Sequence, residues 1–196
     1  MHQKFILASS SKSRYKILKN AGLNFTQKKP NCNEEDIKKT INRKTKPEIF
    51  AKKLSYEKAK SVSKLKQHTN KIVLGCDTVI YHNGKILDKV SSVEKAKKKI
   101  KSLSGKTHII VSGLTICING FKVWEDYEKT HVKIRKLNNK EVNTYLKKTG
   151  KQILSSVGCY QIESLGPYII ERIKGDYFNV MGLPLFKLLD YLYSNK

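Results

Sequence analysis

The sequence predicts an α/β protein in which helices pack on a mixed sheet, and three observations predict it. Apolar runs of strand length alternate with stretches whose apolar residues recur every three or four positions. Two Asn-Gly dipeptides, at 83–84 and 119–120, fall between apolar runs as hairpin turns do. No repeat or low-complexity segment interrupts that order. A chain of 196 residues can bury one sizeable core, so a single domain over 1–196, in one piece or in two lobes without a separate linker, is expected.

The elements follow in order. Residues 5–8 read as a short buried strand, and 11–21 as a helix with Tyr15 and Leu18 inward and Gly22 as its stop. A second strand lies near Phe25. Residues 31–46 read as a polar loop, made locally acidic by Glu34, Glu35 and Asp36. Pro47 suits the first position of a long helix running to about residue 66. KIVLGCDTVIYH, 71–82, is a buried strand that turns at Asn83-Gly84 into the return strand KILDK, 85–89. Residues 91–103 are helical; 107–118 and 121–134 form two long strands about Asn119-Gly120. Helix over 137–148, strands over 159–162 and 168–173, and an amphipathic helix over 185–193 complete the chain, an order that gives a mixed sheet with helices on it.

Composition narrows the class. Forty Lys+Arg against 16 Asp+Glu leave a formal charge of +24. The cations are mostly lysine and are spread along the chain, so compositional bias, attraction of phosphorylated ligands and nucleic-acid binding all remain open. No apolar run approaches the roughly 20 residues that span a bilayer, and the N-terminal run is too short for a signal peptide; a cytoplasmic protein without membrane contact is expected. Cys32, Cys76, Cys117 and Cys159 stand far apart, without CxxC pairs or nearby zinc-spaced histidines, and read as reduced, buried thiols.

Three constellations carry chemistry. In LASSSKSRYKIL, 7–18, a strand feeds a helix start, where unpaired backbone N–H groups and the helix dipole favour an anion. Hydroxyls of Ser9, Ser10 and Ser11, with Lys12 and Arg14, could cradle phosphate there; alternatively one serine is an N-cap and the others solvate a loop. Asp77 sits in the middle of an otherwise apolar strand, where a carboxylate must meet a cation, a metal or a set of donors, or else cap a turn. Gly75 beside it permits close backbone approach. Lys58 interrupts the stripe Phe50, Leu54, Lys58, Val62 on one helix face. It either snorkels to solvent or points inward to hold an anion. Glu34 and Asp77 could together offer the oxygen ligands that magnesium prefers when it bridges substrate phosphates, with Lys89 as a further cation if strands 72–80 and 85–89 pair.

These motifs, in their order along essentially the whole chain, resemble the Maf family of nucleoside triphosphate pyrophosphatases. The resemblance rests on LASSSKSR, the loop acid Glu34, Glu57-Lys58-Ala59, GCDT at 75–78, Asp88-Lys89, LSGKTH at 103–108, VGCYQIE at 157–163 and GDYFNVMGLPL at 175–185. It implies a two-lobed, ITPase-like α/β fold with a long mixed sheet and the active site in a central cleft. It implies hydrolysis of a nucleoside triphosphate to a monophosphate and pyrophosphate, as in house-cleaning of nucleotide pools, and a homodimer. By that mapping Ser9, Ser11, Arg14, Lys58 and Lys89 hold phosphates, Glu34 and Asp77 bind Mg²⁺ or Mn²⁺, and Asp77 accepts the proton of the attacking water.

The resemblance divides at substrate choice. One branch acts on dTTP/UTP and another on 7-methyl-GTP, differing at the positions of Ser13, Thr78 and Glu163. The chain matches the first at Thr78, the second at Glu163 and neither at Ser13. Glu163 favours a base that offers N–H donors, as guanine does. The family proline after the hairpin lysine is replaced by Val90. A different class also fits the scaffold: a catalytically silent regulator of division that binds nucleotide or nucleic acid with steep salt dependence and no turnover. The intact GCDT, Glu34 and Lys58 set favours the enzyme, which needs no specific nucleic-acid partner.

Overall fold

The computed structural model describes residues 4–42 and 45–195. Seven strands hydrogen-bond in the order β2-β1-β3-β5-β6-β7, with β4 pairing β3. They are β1 Phe5–Ala8, β2 Phe25–Lys28, β3 Val73–His82, β4 Lys85–Leu87, β5 Thr107–Ile118, β6 Phe121–Ile134 and β7 Ile170–Lys174. Among the described residues seven α-helices accompany them: α1 Lys12–Asn20, α2 Glu34–Thr40, α3 Pro47–Ser63, α4 Val93–Leu103, α5 Asn139–Thr149, α6 Tyr177–Val180 and α7 Leu185–Ser194. The α/β class with a mixed sheet is as the sequence predicts. Among the described residues no helix is long and apolar enough to cross a membrane.

The chain divides into two compact units. The first holds the chain up to Thr78, Val111–Glu128 and the chain from Gly182; the second holds Val79–Ile110 and Lys129–Met181. In the first unit β1 runs parallel to both neighbours, Phe5 opposite Phe25 and Ala8 opposite Gly75. A strand flanked on both sides buries every residue, hence the apolar run FILA. α3 lies on this sheet with Ala59 and Val62 packed among Ile6, Ala8, Val73 and Cys117. Its backbone comes very close. A Cβ on Gly75 would lie 2.1 Å from the Ser55 carbonyl oxygen, and one on Gly113 2.6 Å from Ala51 and Lys52 backbone atoms. Two strand glycines are therefore the seat of α3, and the buried Ser55 and Thr115 hydroxyls, 2.7 Å apart, bond across it.

The second unit is built on the far half of β3, which turns through left-handed Asn83 and Gly84 into β4 with Ile80 opposite Leu87. Ile80, Ile100, Leu103, Val132, Tyr145 and Tyr160 belong to its core. α5 begins with a capping box: Asn138 Oδ1 accepts from the Glu141 amide at 3.0 Å while Glu141 Oε2 accepts from the Asn138 amide at 2.7 Å.

The structure corrects several local expectations. The acidic stretch read as loop contains α2, with residues 43 and 44 lying outside the described residues. Asn33 caps this helix, and three first-turn acids complement its dipole, yet it buries no residue and so shows no apolar period to read. Tyr15 is 39% exposed, packing edge-on to Phe25, while Arg14, Ile17 and Leu18 face inward. The helix from Pro47 stops at Ser63, and a 3₁₀ turn follows at Lys66–His68. Residues 159–162 are not a strand: Cys159 takes a left-handed φ of 58°, and the Ser156 hydroxyl donates to the Tyr160 carbonyl at 2.6 Å. All four cysteines are free thiols, but Cys32 is only half-buried.

Candidate active site

The first unit gathers two buried cations and one buried carboxylate. Lys58, on the inner face of α3, is 5% exposed, and Asp77, on β3, is 7% exposed. Because α3 sits on Gly75, the lysine reaches down to the strand two residues further on. Lys58 Nζ donates to Asp77 Oδ1 at 2.5 Å and bonds Glu34 Oε1, at the start of α2, at 2.9 Å. Of its two sequence readings, the inward one holds. Burial works to lower the Lys58 pKa, but Asp77 and Glu34 together outweigh both burial and repulsion from Arg14. The ammonium therefore titrates above the ordinary lysine range.

Strand register brings the serine-rich stretch to the same place. Ala8 pairs with Gly75, so the chain leaving β1 at Ser9 emerges beside Cys76 and Asp77. Ser11 is the N-cap of α1, its hydroxyl accepting from the Arg14 amide at 3.3 Å. Ser9 Oγ accepts from the Ser11 amide and from Arg14 Nη1, each at 3.2 Å. Arg14 points back into the protein: Nε donates to the Gly182 carbonyl at 2.8 Å and Nη2 to Thr78 Oγ1 at 3.0 Å. The Gly182 oxygen also accepts from Thr78 Oγ1 and Cys76 Sγ, each at 3.2 Å, and Thr78 meets Ser112 Oγ at 2.8 Å. Burial pushes the Cys76 thiol up, so it serves as a neutral donor. Cys76 and Thr78 thus point to the opposite face of β3 from Asp77, and tie the segment before α7 to the sheet.

Of the residues the sequence singled out, Ser9, Ser11, Ser13, Arg14, Glu34, Lys58, Asp77 and Thr78 lie in the first unit. Lys89 and Glu163 lie in the second, both exposed: Lys89 two residues beyond β4, Glu163 in the irregular segment before β7. Sequence reasoning missed the parts played by Gly113, Ser112 and Gly182. A glycine inside the apolar run 107–118 is the one signal that could have shown a close backbone approach there. The partner of Ser112 is 34 residues away along the chain and those of Gly182 are 104, 106 and 168 away, beyond any local pattern.

Among the described residues no group of three or more His, Cys, Asp and Glu side chains forms a metal cluster. Two carboxylates do converge on a positive centre, the Lys58 ammonium. The donor chemistry of such an all-oxygen pair is the kind that a hard divalent ion such as Mg²⁺ or Mn²⁺ takes.

Comparison with known proteins identifies the family. The family profile described as "Maf-like protein" matches residues 4–195. The chain belongs to that family. A 7-methyl-GTP pyrophosphatase of Bartonella quintana is 40% identical over 189 residues, 96% of this chain and 94% of its own length. A nucleoside triphosphate pyrophosphatase of Hyphomonas neptunium is 36% identical over 191 residues, covering 97% of this chain and 95% of that protein. A dTTP/UTP pyrophosphatase from a Thermoanaerobacter species is 38% identical over 190 residues, 96% and 95% of the two chains. Maf-like relatives of both substrate branches thus match nearly end to end, at similar identity.

Proposed function

We propose that this Maf-like protein is a nucleoside triphosphate pyrophosphatase, cleaving the α–β phosphoanhydride to a monophosphate and pyrophosphate. One observation carries the reading: buried Asp77 bonds buried Lys58, with Glu34 on the same ammonium, beside the strand exit that leads into the Ser11-capped helix. The names of the matched relatives point the same way.

In this proposal Ser9, Ser11 and the α1 N-terminus receive phosphate oxygens, as N–H groups at a helix start favour anions. Lys58 and Lys89 neutralise the polyphosphate, and Arg14 adds charge from behind while holding Ser9 and Thr78 in place. In the ligand-free protein Lys58 occupies Asp77 Oδ1, and the other carboxylate oxygen is assigned to the water. The water oxygen bonds to phosphorus, its proton passes to Asp77, and pyrophosphate departs with the electrons of the broken P–O bond. A divalent ion held by Glu34 and Asp77 supplies further charge against the phosphate oxygens when bound. Ser13, Thr78 and Glu163 are assigned to base choice, and a carboxylate at 163 supports a base edge rich in N–H donors, as in guanine or a modified guanine. A homodimer belongs to the same proposal; the exposed Phe121, Phe186 and Tyr193 supply apolar surface for it in the first unit.

The test is product identity across a panel of canonical and methylated triphosphates with Mg²⁺ or Mn²⁺. Equal yields of monophosphate and pyrophosphate are expected from at least one. A diphosphate with orthophosphate, or no turnover of any, contradicts the reading.

A further inference from the structure

We infer that Lys58 is a placeholder for the divalent cation, neutralising Asp77 and Glu34 until the metal arrives together with the triphosphate rather than before it. The inference rests on the pyrophosphatase reading of this site and adds an order of binding to it.

Geometry sets the conflict. Lys58 Nζ bonds one oxygen of each carboxylate, at 2.5 Å to Asp77 and 2.9 Å to Glu34. A divalent ion held by the same two side chains would stand a few ångströms from that ammonium. An ammonium and a divalent ion that close repel strongly in a site largely closed to water, and the double charge of the ion doubles the repulsion. One cation must therefore give up the carboxylates. Lys58 is poorly placed to go to water: it is 5% exposed, its helix face is otherwise Phe50, Leu54 and Val62, and Arg14 lies near enough to repel it. An ammonium released there needs a new anion at once. The donor count agrees. Two carboxylates leave most of a six-oxygen shell to water or phosphate, and among the described residues no third acid, His or Cys joins them to strengthen the hold. A metal–triphosphate complex meets both needs, bringing phosphate oxygens to the ion and a fresh anionic partner to Lys58. Metal alone brings only water to its shell and no anion to Lys58.

The experiment measures Mn²⁺ binding by the full chain without nucleotide, from the loss of the free-ion EPR signal, in the wild type and in Lys58→Met, which keeps the unbranched stem. Affinity is expected to rise at least tenfold in Lys58→Met and to fall back when Asp77→Asn is added. Equal affinity in wild type and Lys58→Met, or a gain that survives Asp77→Asn, overturns the inference. If Lys58→Met folds only when Mn²⁺ is present, the dependence itself supports it. If it folds under neither condition, the wild type decides: the α,β-methylene analogue of GTP or of 7-methyl-GTP should tighten Mn²⁺ at least tenfold, by reciprocal linkage, and no change with either overturns the inference. The two readings fail separately. A wrong pyrophosphatase assignment leaves no triphosphate turned over while the Lys58→Met gain persists, whereas a wrong placeholder leaves turnover intact and Mn²⁺ affinity unchanged by Lys58→Met.

Discussion

Both units bury polar side chains, but they treat charge in opposite ways. In the first unit Lys58 stays protonated because two carboxylates face it, and Arg14 keeps its guanidinium among Ser9, Thr78 and the Gly182 carbonyl. In the second unit His108, 1% exposed, shares a 2.5 Å hydrogen bond with the Tyr160 hydroxyl, and its Nδ1 has no partner among the described residues. Burial, with a smaller push from His82, lowers the His108 pKa to about 4, so the ring is neutral. Burial likewise pushes the Tyr145 and Tyr160 hydroxyls well above the usual tyrosine range. A group buried for packing sheds its charge, while a group buried with a counter-ion keeps it ready for a ligand.

The strongest way to break this contrast is to unseat the charged centre alone. Gly75→Ala places a methyl group against the Ser55 carbonyl and the Ala59 amide, lifting α3 and with it Lys58. Stability should fall by more than about 3 kcal/mol, read from urea unfolding, and triphosphate turnover should fall further than the unfolded fraction explains. An unchanged midpoint would mean that α3 does not depend on this close approach.

The neutral centre is probed by pH. Below pH 6.5 the unfolded chain binds a proton at His108, while the folded chain does not until about pH 4. Stability therefore drops as pH falls through that window, by about 3 kcal/mol, and this contribution is constant above it. His108→Phe should remove that share of the acid sensitivity. Parallel wild-type and variant curves of unfolding free energy against pH would show that the ring is charged in the fold. Lys58 shifts the other way: its raised pKa keeps its contribution complete below about pH 10, to be lost only as the pH climbs past the folded value. The contribution of Lys58 is accordingly insensitive to pH across the neutral range, below which the histidine begins to matter.

Smaller effects sharpen the picture. Ser55→Ala removes one side of the hydroxyl pair with Thr115 beneath α3 and should lower stability by about 1 kcal/mol in thermal unfolding. Thiol labelling of the native protein should modify Cys32 first: burial raises the pKa of all four thiols, but Cys32 alone is half-exposed while Cys76, Cys117 and Cys159 are buried. Rapid labelling of two or more thiols would reveal opening of a core.

Much of this contrast was legible in the sequence because it is written in violations of local pattern. An acid inside IVLGCDTVI and a lysine in a four-residue apolar stripe stand out as candidates, although the lysine could equally have snorkelled to solvent, and they met each other. Asn-Gly pairs marked both hairpins, since few other residues take the left-handed turn conformation. What stayed hidden lacks a local signature. α2 buries nothing, so capping and first-turn acids are its only marks. Residues 159–162 look like a strand because core contacts make Cys159, Tyr160 and Ile162 apolar, although the chain turns there. The inward pointing of Arg14 depends on Gly182 and Thr78, 168 and 64 residues away.

The central claim is that the carboxylate buried against Lys58 works as the base of an anhydride hydrolase. Asp77→Asn keeps the side-chain shape and an oxygen for the lysine, and its fold is checked by circular dichroism. With Mg²⁺ and the best triphosphate of the panel, pyrophosphate release should fall at least about a thousandfold, beyond the loss that a missing ion-pair partner alone explains. A folded Asp77→Asn protein that releases pyrophosphate within tenfold of the wild-type rate would contradict it.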